Sequence, residues 1–274
     1  MIFVYKYWEQ FCKKLDEKGI HSIPACEING EEKSFLVLKH DIENSVSRAF
    51  KMAEIEKKYG QRGSYYAHAY LLENLKNVEM LKEMQKMGHE ISYHYDVMDS
   101  SHGNMKQAIS EFEKNKLLFE GLGFKLITVC QHGNPVIERV GYTSNRDFFR
   151  SEYVQSLYPE ISDIMVNYKG KHNTEYTYYS DAGRKFCLIF DPINNDIVDS
   201  EDKNIAYKDL NELFDNLEAK AIISTHPHRW TNSECSYLIK ERLFKIIKYI
   251  AKKLMRVPML KKIMSRYYYL AKKI

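Results

Sequence analysis

The sequence predicts an α/β fold built on a parallel sheet, either open or closed into a barrel. One observation is that short apolar, β-branched runs alternate with segments whose apolar residues recur at helical spacing along the 274 residues. A second is that metal-capable side chains lie in, or directly after, four of these runs, in segments 39–43, 88–96, 131–135 and 225–230. Because the carboxyl ends of parallel strands meet at one edge, this recurrence is typical of a (β/α) barrel active site.

Short runs rich in apolar and β-branched residues predict strands at 35–39, 63–69, 90–94, 126–130, 161–166, 185–190 and 221–225. Helical spacing predicts helices at 7–18, 45–59, 77–87, 105–122 and 207–217. The second of these helices has Val46, Ala49 and Met52 on one face. The third is ended by Gly88, in the position that a C-cap favours.

The composition is that of a folded protein, with 44% apolar and 13% aromatic residues. The five cysteines are odd in number and show no CxxC pairing, so we expect no disulfide framework. We find neither a signal-peptide pattern nor an apolar run of membrane-spanning length. These features together predict a protein of the reducing cytoplasm.

Charge is distributed unevenly along the chain. Residues 235–274 hold 12 Lys and Arg against one acidic residue, for a net charge of +11, while residues 1–234 hold 29 against 36, for −7. The sequence therefore predicts a barrel domain at 1–234 and a basic tail at 235–274. In the tail, apolar residues recur at helical spacing on both sides of Pro258, which predicts two basic amphipathic helices.

Such helices fit an anionic membrane surface, and we expect the part of the basic tail after Pro258 to hold the protein at the inner membrane face. Alternatively, the apolar stripe of the first helix could simply close the barrel. We expect no nucleic-acid partner, because the body is acidic and no segment resembles a nucleic-acid reading motif.

Two carboxylates lie at the end of the first predicted strand. In an extended chain, Asp41 and Glu43 are two residues apart and point the same way. One could bind a divalent metal ion while the other acts as general base on the metal's water. Alternatively, Asp41 could simply cap the helix that follows.

Histidines occupy equivalent positions on three other strands. His94, His132 and His226 each end or follow an apolar run, and this repetition favours metal ligation over the structural role of a lone strand histidine. His226 and His228 have the HxH spacing that can chelate a metal ion, and His226 could otherwise protonate a leaving amine. His89 alternates onto the opposite face of its strand and is predicted to be structural.

Neighbouring side chains could line a substrate pocket. Arg229 and Trp230 follow the last strand, and they either frame such a pocket or begin the last helix. Asp181 precedes the sixth predicted strand and either lines the same rim or belongs to a plain turn. Tyr95, next to His94, is assigned to substrate binding with them.

The segments Leu38–Glu43 and Gly88–His94 resemble the polysaccharide deacetylase family (the NodB-homology, carbohydrate esterase family 4 group), in its variant with an L-R-H-D-V-D opening. The resemblance covers residues 34–230. It implies an irregular (β/α) barrel of about seven parallel strands, here with a basic helical C-terminal extension, and hydrolysis of N- or O-acetyl groups on sugars. It also implies that Asp41 is the acidic base or a metal ligand.

By position, the resemblance places Glu43 at the second Asp of the opening and His94 at the first metal histidine. It places His226 at the late histidine that protonates the leaving group. The family's second metal histidine, four residues after the first, is Met98 in this chain. The family's arginine motif on strand four is replaced by a segment that carries His132, so we expect His132 to supply the missing nitrogen ligand.

The leading hypothesis is a metal-dependent hydrolase that removes an acetyl or other acyl group from an N-acetylated carbohydrate in surface glycan metabolism. Mixed nitrogen and oxygen ligands favour Zn²⁺, with Ni²⁺ or Co²⁺ as alternatives. The residues expected to act are catalytic Asp41 and His226, metal-binding Asp41, Glu43, His94 and His132, and substrate-binding Tyr95, Asp181, Arg229 and Trp230.

Two other functions fit parts of the same pattern. One is a metallophosphoesterase-like barrel, which would hold two or three metal ions. The other is a catalytically degenerate sugar-binding module, which is suggested by the absence of a histidine at Met98.

Overall fold

The computed structural model describes residues 2–134, 137–198 and 201–254. Its strands are β1 Phe35–Ile42, β2 Gly63–Ala67, β3 Glu90–Tyr95, β4 Thr128–Gln131, β5 Ser162–Asp163, β6 Thr177–Ser180, β7 Cys187–Leu188, β8 Ile205–Ala206 and β9 Lys220–Thr225. Its α-helices are α1 Tyr5–Glu17, α2 Val46–Lys58, α3 Leu75–Lys86, α4 Val97–Ser100, α5 Met105–Gly121, α6 Asp147–Arg150, α7 Glu152–Leu157, α8 Tyr168–Lys171, α9 Leu210–Asp215 and α10 Glu234–Leu254.

The strands form one sheet in the order β5-β4-β3-β2-β1-β9-β6-β7-β8. Every neighbouring pair from β5 to β6 is parallel, which gives seven parallel strands, and β7 and β8 extend the sheet in antiparallel pairing. The two edges of the parallel part meet, because Tyr176 beside β6 donates a hydrogen bond of 2.7 Å to the Ile164 carbonyl beside β5. The predicted fold class, an irregular barrel of about seven parallel strands, is confirmed.

Alternate residues of each strand face two different cores. Leu38 of β1 packs outward in a cluster with residues of α1 and α2, whereas Val37 packs inward with Tyr66 of β2. Toward the carboxyl end of β1 the inward positions become polar, with Lys39 and Asp41 both buried. Burial of such groups is costly unless they are paired, so this end of the barrel is built for something other than packing.

Two predicted strands differ from the observed ones. The predicted strand 185–190 contains only the antiparallel β7, and the parallel strand at that edge is β6, which has the sequence Thr-Tyr-Tyr-Ser and lacks the aliphatic residues of a typical buried strand. Pairing with β9 fixes its position. The predicted strand 161–166 shortens to β5, because the Asp163 carboxylate accepts a hydrogen bond from the Met165 N–H at 2.6 Å and turns the chain.

The long helix α10 contacts the body through Tyr237, whose buried ring lies 6.0 Å from that of Phe3. Other apolar side chains of α10, such as Leu238 and Leu243, are exposed, so the helix does not close the barrel with its whole apolar stripe. None of the helices in the described ranges is long and apolar enough to cross a membrane. The predicted continuation through 255–274 lies outside the described residues.

Candidate metal centre

Four metal-capable side chains converge at the carboxyl ends of neighbouring strands. Glu43 follows β1 and His68 follows β2, while His94 lies near the end of β3 and His132 follows β4. Because β1 to β4 are successive parallel neighbours, these strand ends lie side by side. One ligand atom from each residue lies within 4.8 Å of those of the other three, and we call these four residues the metal-capable group.

The ligand atoms are spaced as around one small cation. The Nδ1 atom of His132 lies 3.2 Å from both Glu43 Oε1 and His94 Nε2. The Nε2 atoms of His94 and His68 lie 3.8 and 3.6 Å from the Glu43 carboxylate oxygens. Tetrahedral zinc, with bonds of ~2.0–2.1 Å, separates its ligand atoms by about 3.3 Å. Three imidazoles and one carboxylate at these separations therefore fit a zinc-like ion.

Backbone contacts orient two of these histidines. The Nδ1–H of His94 donates to the Cys130 carbonyl at 3.0 Å, since a carbonyl oxygen can only accept. The Nε2 atom of His94 is therefore the one that carries the lone pair toward the other ligand atoms. The backbone N–H of His132 donates to the Tyr95 carbonyl at 2.7 Å, and the Asn145 side chain donates to the His132 carbonyl at 2.8 Å. These bonds hold the ligand atoms in place through the protein itself.

The surroundings favour the protonation states that bind metal. Burial would raise the pKa of Glu43, but the neighbouring histidines, His132 foremost, hold that pKa well below its usual range. Burial lowers the pKa of His132 to about 4, although the charge of Glu43 opposes this change. At neutral pH the carboxylate is ionised and the His132 imidazole is neutral, and metal ions bind these forms.

Asp41 lies outside the metal-capable group. Both of its oxygens accept hydrogen bonds of 2.6 Å from the buried ammonium group of Lys39. Asp41 also belongs to a second set, with His94 and Cys130, whose ligand atoms lie within 4.8 Å of one another. Burial would raise the pKa of Asp41, but Lys39 and the neighbouring histidines lower it to about 2. The residue is therefore a charged carboxylate with its own counter-ion, beside the metal-capable group.

A buried carboxylate holds the last predicted histidine, His226. The Nδ1–H of His226 donates to Asp181 at 2.5 Å, and its backbone N–H donates to the same side chain at 3.0 Å. Arg229 also donates to Asp181, at 2.7 Å. Burial would raise the pKa of Asp181, but Arg229 and His226 lower it below its usual range. The Nε2 atom of His226 is left facing the site, 3.9 Å from the Asp41 carboxylate.

Two predicted substrate contacts are instead core residues. Tyr95 is 0% exposed and packs against Phe112, because strand alternation turns it to the face opposite His94. Trp230 is 1% exposed and packs edge-on against Trp8. Neither residue belongs to the two metal-capable sets found among the described residues. The other two predicted contacts, Asp181 and Arg229, form the support of the last histidine described above.

The other strand histidines have different surroundings. His89 accepts a hydrogen bond from the backbone N–H of Gly63 at 3.0 Å and lies 3.7 Å from buried Glu56, on the packing side of the sheet. His228 belongs to neither metal-capable set found among the described residues, and its backbone carbonyl accepts a hydrogen bond from Arg48.

Two residues of the site are absent from the predicted set. His68 supplies the fourth ligand atom of the metal-capable group, and its signal in the sequence is the one that the other histidines show, a histidine at the end of a short apolar run. Lys39 neutralises Asp41, and its position inside an apolar strand could have indicated a buried partner.

No protein-family model and no curated protein matches the chain. Among solved structures, it is similar to a family 4 carbohydrate esterase from Streptomyces lividans in complex with acetate, at 11% identity and a TM-score of 0.39, over 71% of this chain and 80% of that chain. It is also similar to a CE4 family pseudoenzyme from Bacillus anthracis, at 11% identity and a TM-score of 0.41, over 80% of this chain and 62% of that chain. A third similar structure is the peptidoglycan deacetylase PdaC from Bacillus subtilis, at 12% identity and a TM-score of 0.37, over 81% of this chain and 98% of that chain. Identities this low do not extend any relative's activity to this chain.

Proposed function

We propose that the protein is a metal-dependent hydrolase that removes an acetyl or related acyl group from an N-acetylated carbohydrate. The observation that carries this proposal is the metal-capable group, three imidazoles and one carboxylate on neighbouring strand ends, with Asp41 and His226 beside it. Amide hydrolysis needs a polarised carbonyl, an activated water molecule and a proton for the leaving amine. The residues gathered here can serve each of these needs.

The metal-capable group would hold a divalent ion. Its mixture of nitrogen and oxygen ligands favours Zn²⁺, with Ni²⁺ or Co²⁺ as alternatives. When bound, such an ion would polarise the acyl carbonyl and lower the pKa of a water molecule toward ~7. Glu43 lies among the three histidines, so we assign it as a ligand, which leaves Asp41 for the proton transfer.

Asp41 is proposed to orient the attacking water molecule and to take its proton. The carboxylate is ionised at neutral pH, and two hydrogen bonds from Lys39 fix its position. A carboxylate with a low pKa is a weak base. The contribution of Asp41 therefore lies mainly in placing the water molecule, with the ammonium group of Lys39 offsetting its charge.

His226 is proposed to give a proton to the departing amine. Its Nδ1–H is occupied by Asp181, so proton transfer occurs at Nε2, the atom that faces Asp41. Its side chain is 16% exposed, enough to meet a substrate at the mouth of the barrel. Asp181 acts through His226 by fixing its ring, and Arg229 in turn holds Asp181 in place.

The test joins metal analysis to an acetate-release assay on N-acetylated glucosamine oligomers. We expect one bound zinc ion per chain, and acetate release that stops on chelation and returns with added zinc. Asp41→Asn should keep the metal and lose acetate release, whereas Asp16→Asn, which removes the same charge at an exposed position, should behave as the wild type.

Other outcomes would point elsewhere. Two bound ions together with phosphoester hydrolysis would favour a metallophosphoesterase, and stable sugar binding without bound metal would favour a binding module. Loss of the metal from Asp41→Asn would make Asp41 a ligand, through the set that it forms with His94 and Cys130.

A further inference from the structure

A cavity of about 350 Å³ lies between the first turn of α2 and the first turn of α10, outside the metal-capable group. Three basic side chains line it, Arg48, Lys51 and Lys240, and none of its lining residues in the described ranges is acidic. Its polar wall also includes Ser47, Thr231, Asn232 and Ser236. Its volume is within the range of small-ligand sites.

Among the described residues, Arg48 and Lys51 have neutral hydrogen-bond partners. Arg48 donates to the His228 carbonyl, and Lys51 donates to the Asn232 side-chain oxygen at 2.7 Å. Burial and the charge of Arg48 lower the pKa of Lys240, which indicates positive charges gathered without compensation. Grouping like charges is unfavourable unless an anion joins them.

Two helix N-termini lie at the cavity, and that of α10 is capped by Ser233, whose Oγ accepts a hydrogen bond from the Ser236 N–H at 3.2 Å. The first turns of α2 and α10 reach the cavity through Ser47 and Ser236. The N-cap residue of α2, Ser45, forms no side-chain hydrogen bond to the N–H groups of the first turn. Uncapped N–H groups at the positive end of a helix bind anions. The acid in the first turn of α10, Glu234, is bound by Lys6 at 2.6 Å.

We propose that this cavity binds the phosphate group of a phosphorylated ligand, either a phosphate ester or a diphosphate. A tetrahedral anion with several acceptor oxygens can use guanidinium, ammonium and hydroxyl donors at the same time. A monovalent carboxylate would balance only one of the three positive charges. The metal-capable group contributes no atom to this cavity, so phosphate binding here does not depend on the hydrolase activity proposed above.

Calorimetric titration of the full-length protein with inorganic pyrophosphate, at constant ionic strength, measures this binding. Lys240→Gln is the first variant, because Lys240 has no hydrogen bond to the described part of the protein, and Lys51→Gln is the second. We expect each variant to weaken binding by about tenfold, the effect of one charge-assisted hydrogen bond. Lys57→Gln at the other end of α2 and Lys262→Gln in the basic tail remove the same charge and should bind as the wild type does.

Failure of the wild type to bind pyrophosphate would overturn the proposal. Equal weakening in the Lys57 and Lys240 variants would also overturn it, since binding would then follow net charge instead of this cavity. Thermal unfolding of each variant controls for misfolding, and a Lys240 variant that melts as the wild type does while binding unchanged would exclude the site.

A vesicle-binding assay distinguishes a lipid phosphate from the phosphate of a soluble ligand. If the ligand is a lipid, pyrophosphate should displace the protein from phosphatidic acid vesicles, and Lys240→Gln should bind these vesicles about tenfold more weakly. If the ligand is soluble, pyrophosphate should bind without affecting vesicle association. Either result supports a phosphate site. The proposal is contradicted if the protein does not bind pyrophosphate and if neither pyrophosphate nor Lys240→Gln changes vesicle binding.

Discussion

Replacement of His68 tests the metal-capable group without altering Asp41 or His226. Its Nε2 atom lies 3.6 Å from the Glu43 carboxylate, and its ring centroid lies 4.8 Å from that of His94. We expect His68→Ala to lower zinc affinity by at least about 10–100-fold, since even residues that only orient a ligand have effects of this size. Competition with a chelating dye measures the affinity.

The matched control is His21→Ala, because His21 is exposed and belongs to neither metal-capable set in the described ranges. Wild-type zinc affinity in the His68 variant would remove this residue from the centre.

The buried Lys39–Asp41 pair should make stability depend on pH in the acid range. Folding lowers the pKa of Asp41 from 3.8 to about 2, because the effects of Lys39 and the nearby histidines exceed that of burial. A carboxyl group with a lowered pKa stabilises the fold above its unfolded pKa, and this stability is lost as pH falls through the folded pKa. We expect a contribution of about 2 kcal/mol above about pH 4, lost progressively toward about pH 2.

Urea unfolding of the metal-free protein across this range measures the effect. Asp41→Asn should remove the acid-dependent part and, at neutral pH, should cost about 3–5 kcal/mol, because it leaves the ammonium group of Lys39 buried without a counter-ion. If the variant and the wild type lose stability in parallel as pH falls, the acid dependence comes from other groups.

Single residues of the site could be predicted where a strand was recognisable. Glu43, His94 and His132 each follow or end an apolar run, and three of the four members of the metal-capable group are found in this way. The hydrogen bonds between Lys39 and Asp41 could not be predicted, because they depend on which way two neighbouring inward side chains turn. The burial of Tyr95 depends likewise on the aromatic cluster behind β3, which forms from distant segments.

The turn after β9 delivers the proposed proton donor, and its replacement tests this role. We expect the His226→Ala variant to keep its metal ion. Its kcat should fall by a factor of roughly 10²–10⁴, the usual contribution of a general acid. Asp181→Asn should also lower kcat, because the side-chain amide of asparagine no longer fixes the Nδ1–H of the His226 imidazole. Steady-state acetate release and metal analysis of the same samples measure both effects.

A third variant separates this role from simple support of the turn. Arg229→Lys keeps a positive charge near Asp181 and should retain more activity than Asp181→Asn. If the His226 variant loses its metal, His226 is a ligand and the assignment of the metal-capable group must change.

At the level of elements, prediction succeeded for strands with aliphatic residues and clear turns. Strands β1 and β9 each contain a continuous apolar run, Phe-Leu-Val-Leu and Ala-Ile-Ile, and both are central in the sheet. The sequence of β6 is polar and aromatic, so only its pairing with β9 identifies it as a strand. Local sequence therefore predicts the centre of the sheet better than its edge, where tertiary contacts decide.

The molecule as a whole depends on long-range contacts between buried polar groups. The carboxylate of Glu56 in α2 accepts hydrogen bonds from Trp8 in α1, at 3.0 Å, and from Tyr65 in β2, at 2.8 Å, and it lies 2.9 Å from His40 in β1. The alternation of strands and helices predicts the architecture, because it reflects local burial. The network around Glu56 could not be predicted, since it requires knowing which helix packs on which strand.

The exposed face of α10 supports a prediction about where the whole molecule lies. Ile239, Leu243 and Ile246 recur at helical spacing opposite the buried Tyr237, and each is about half exposed. Residues 235–274 carry a net charge of +11, from 12 basic residues and one acid. An exposed apolar stripe within a basic segment suits an anionic membrane surface, which takes up the apolar side chains and attracts the charge.

We therefore expect the full-length protein to sediment with vesicles that contain anionic lipid. With vesicles of neutral lipid, the protein should remain in the supernatant. Leu243→Asp combined with Ile246→Asp should weaken this association at least about tenfold, because two apolar side chains would no longer enter the interface. The matched control is Leu117→Asp combined with Leu118→Asp, which places the same charges on exposed positions of α5. If both double variants sediment as the wild type does, or if neutral vesicles bind equally well, α10 does not dock on an anionic membrane.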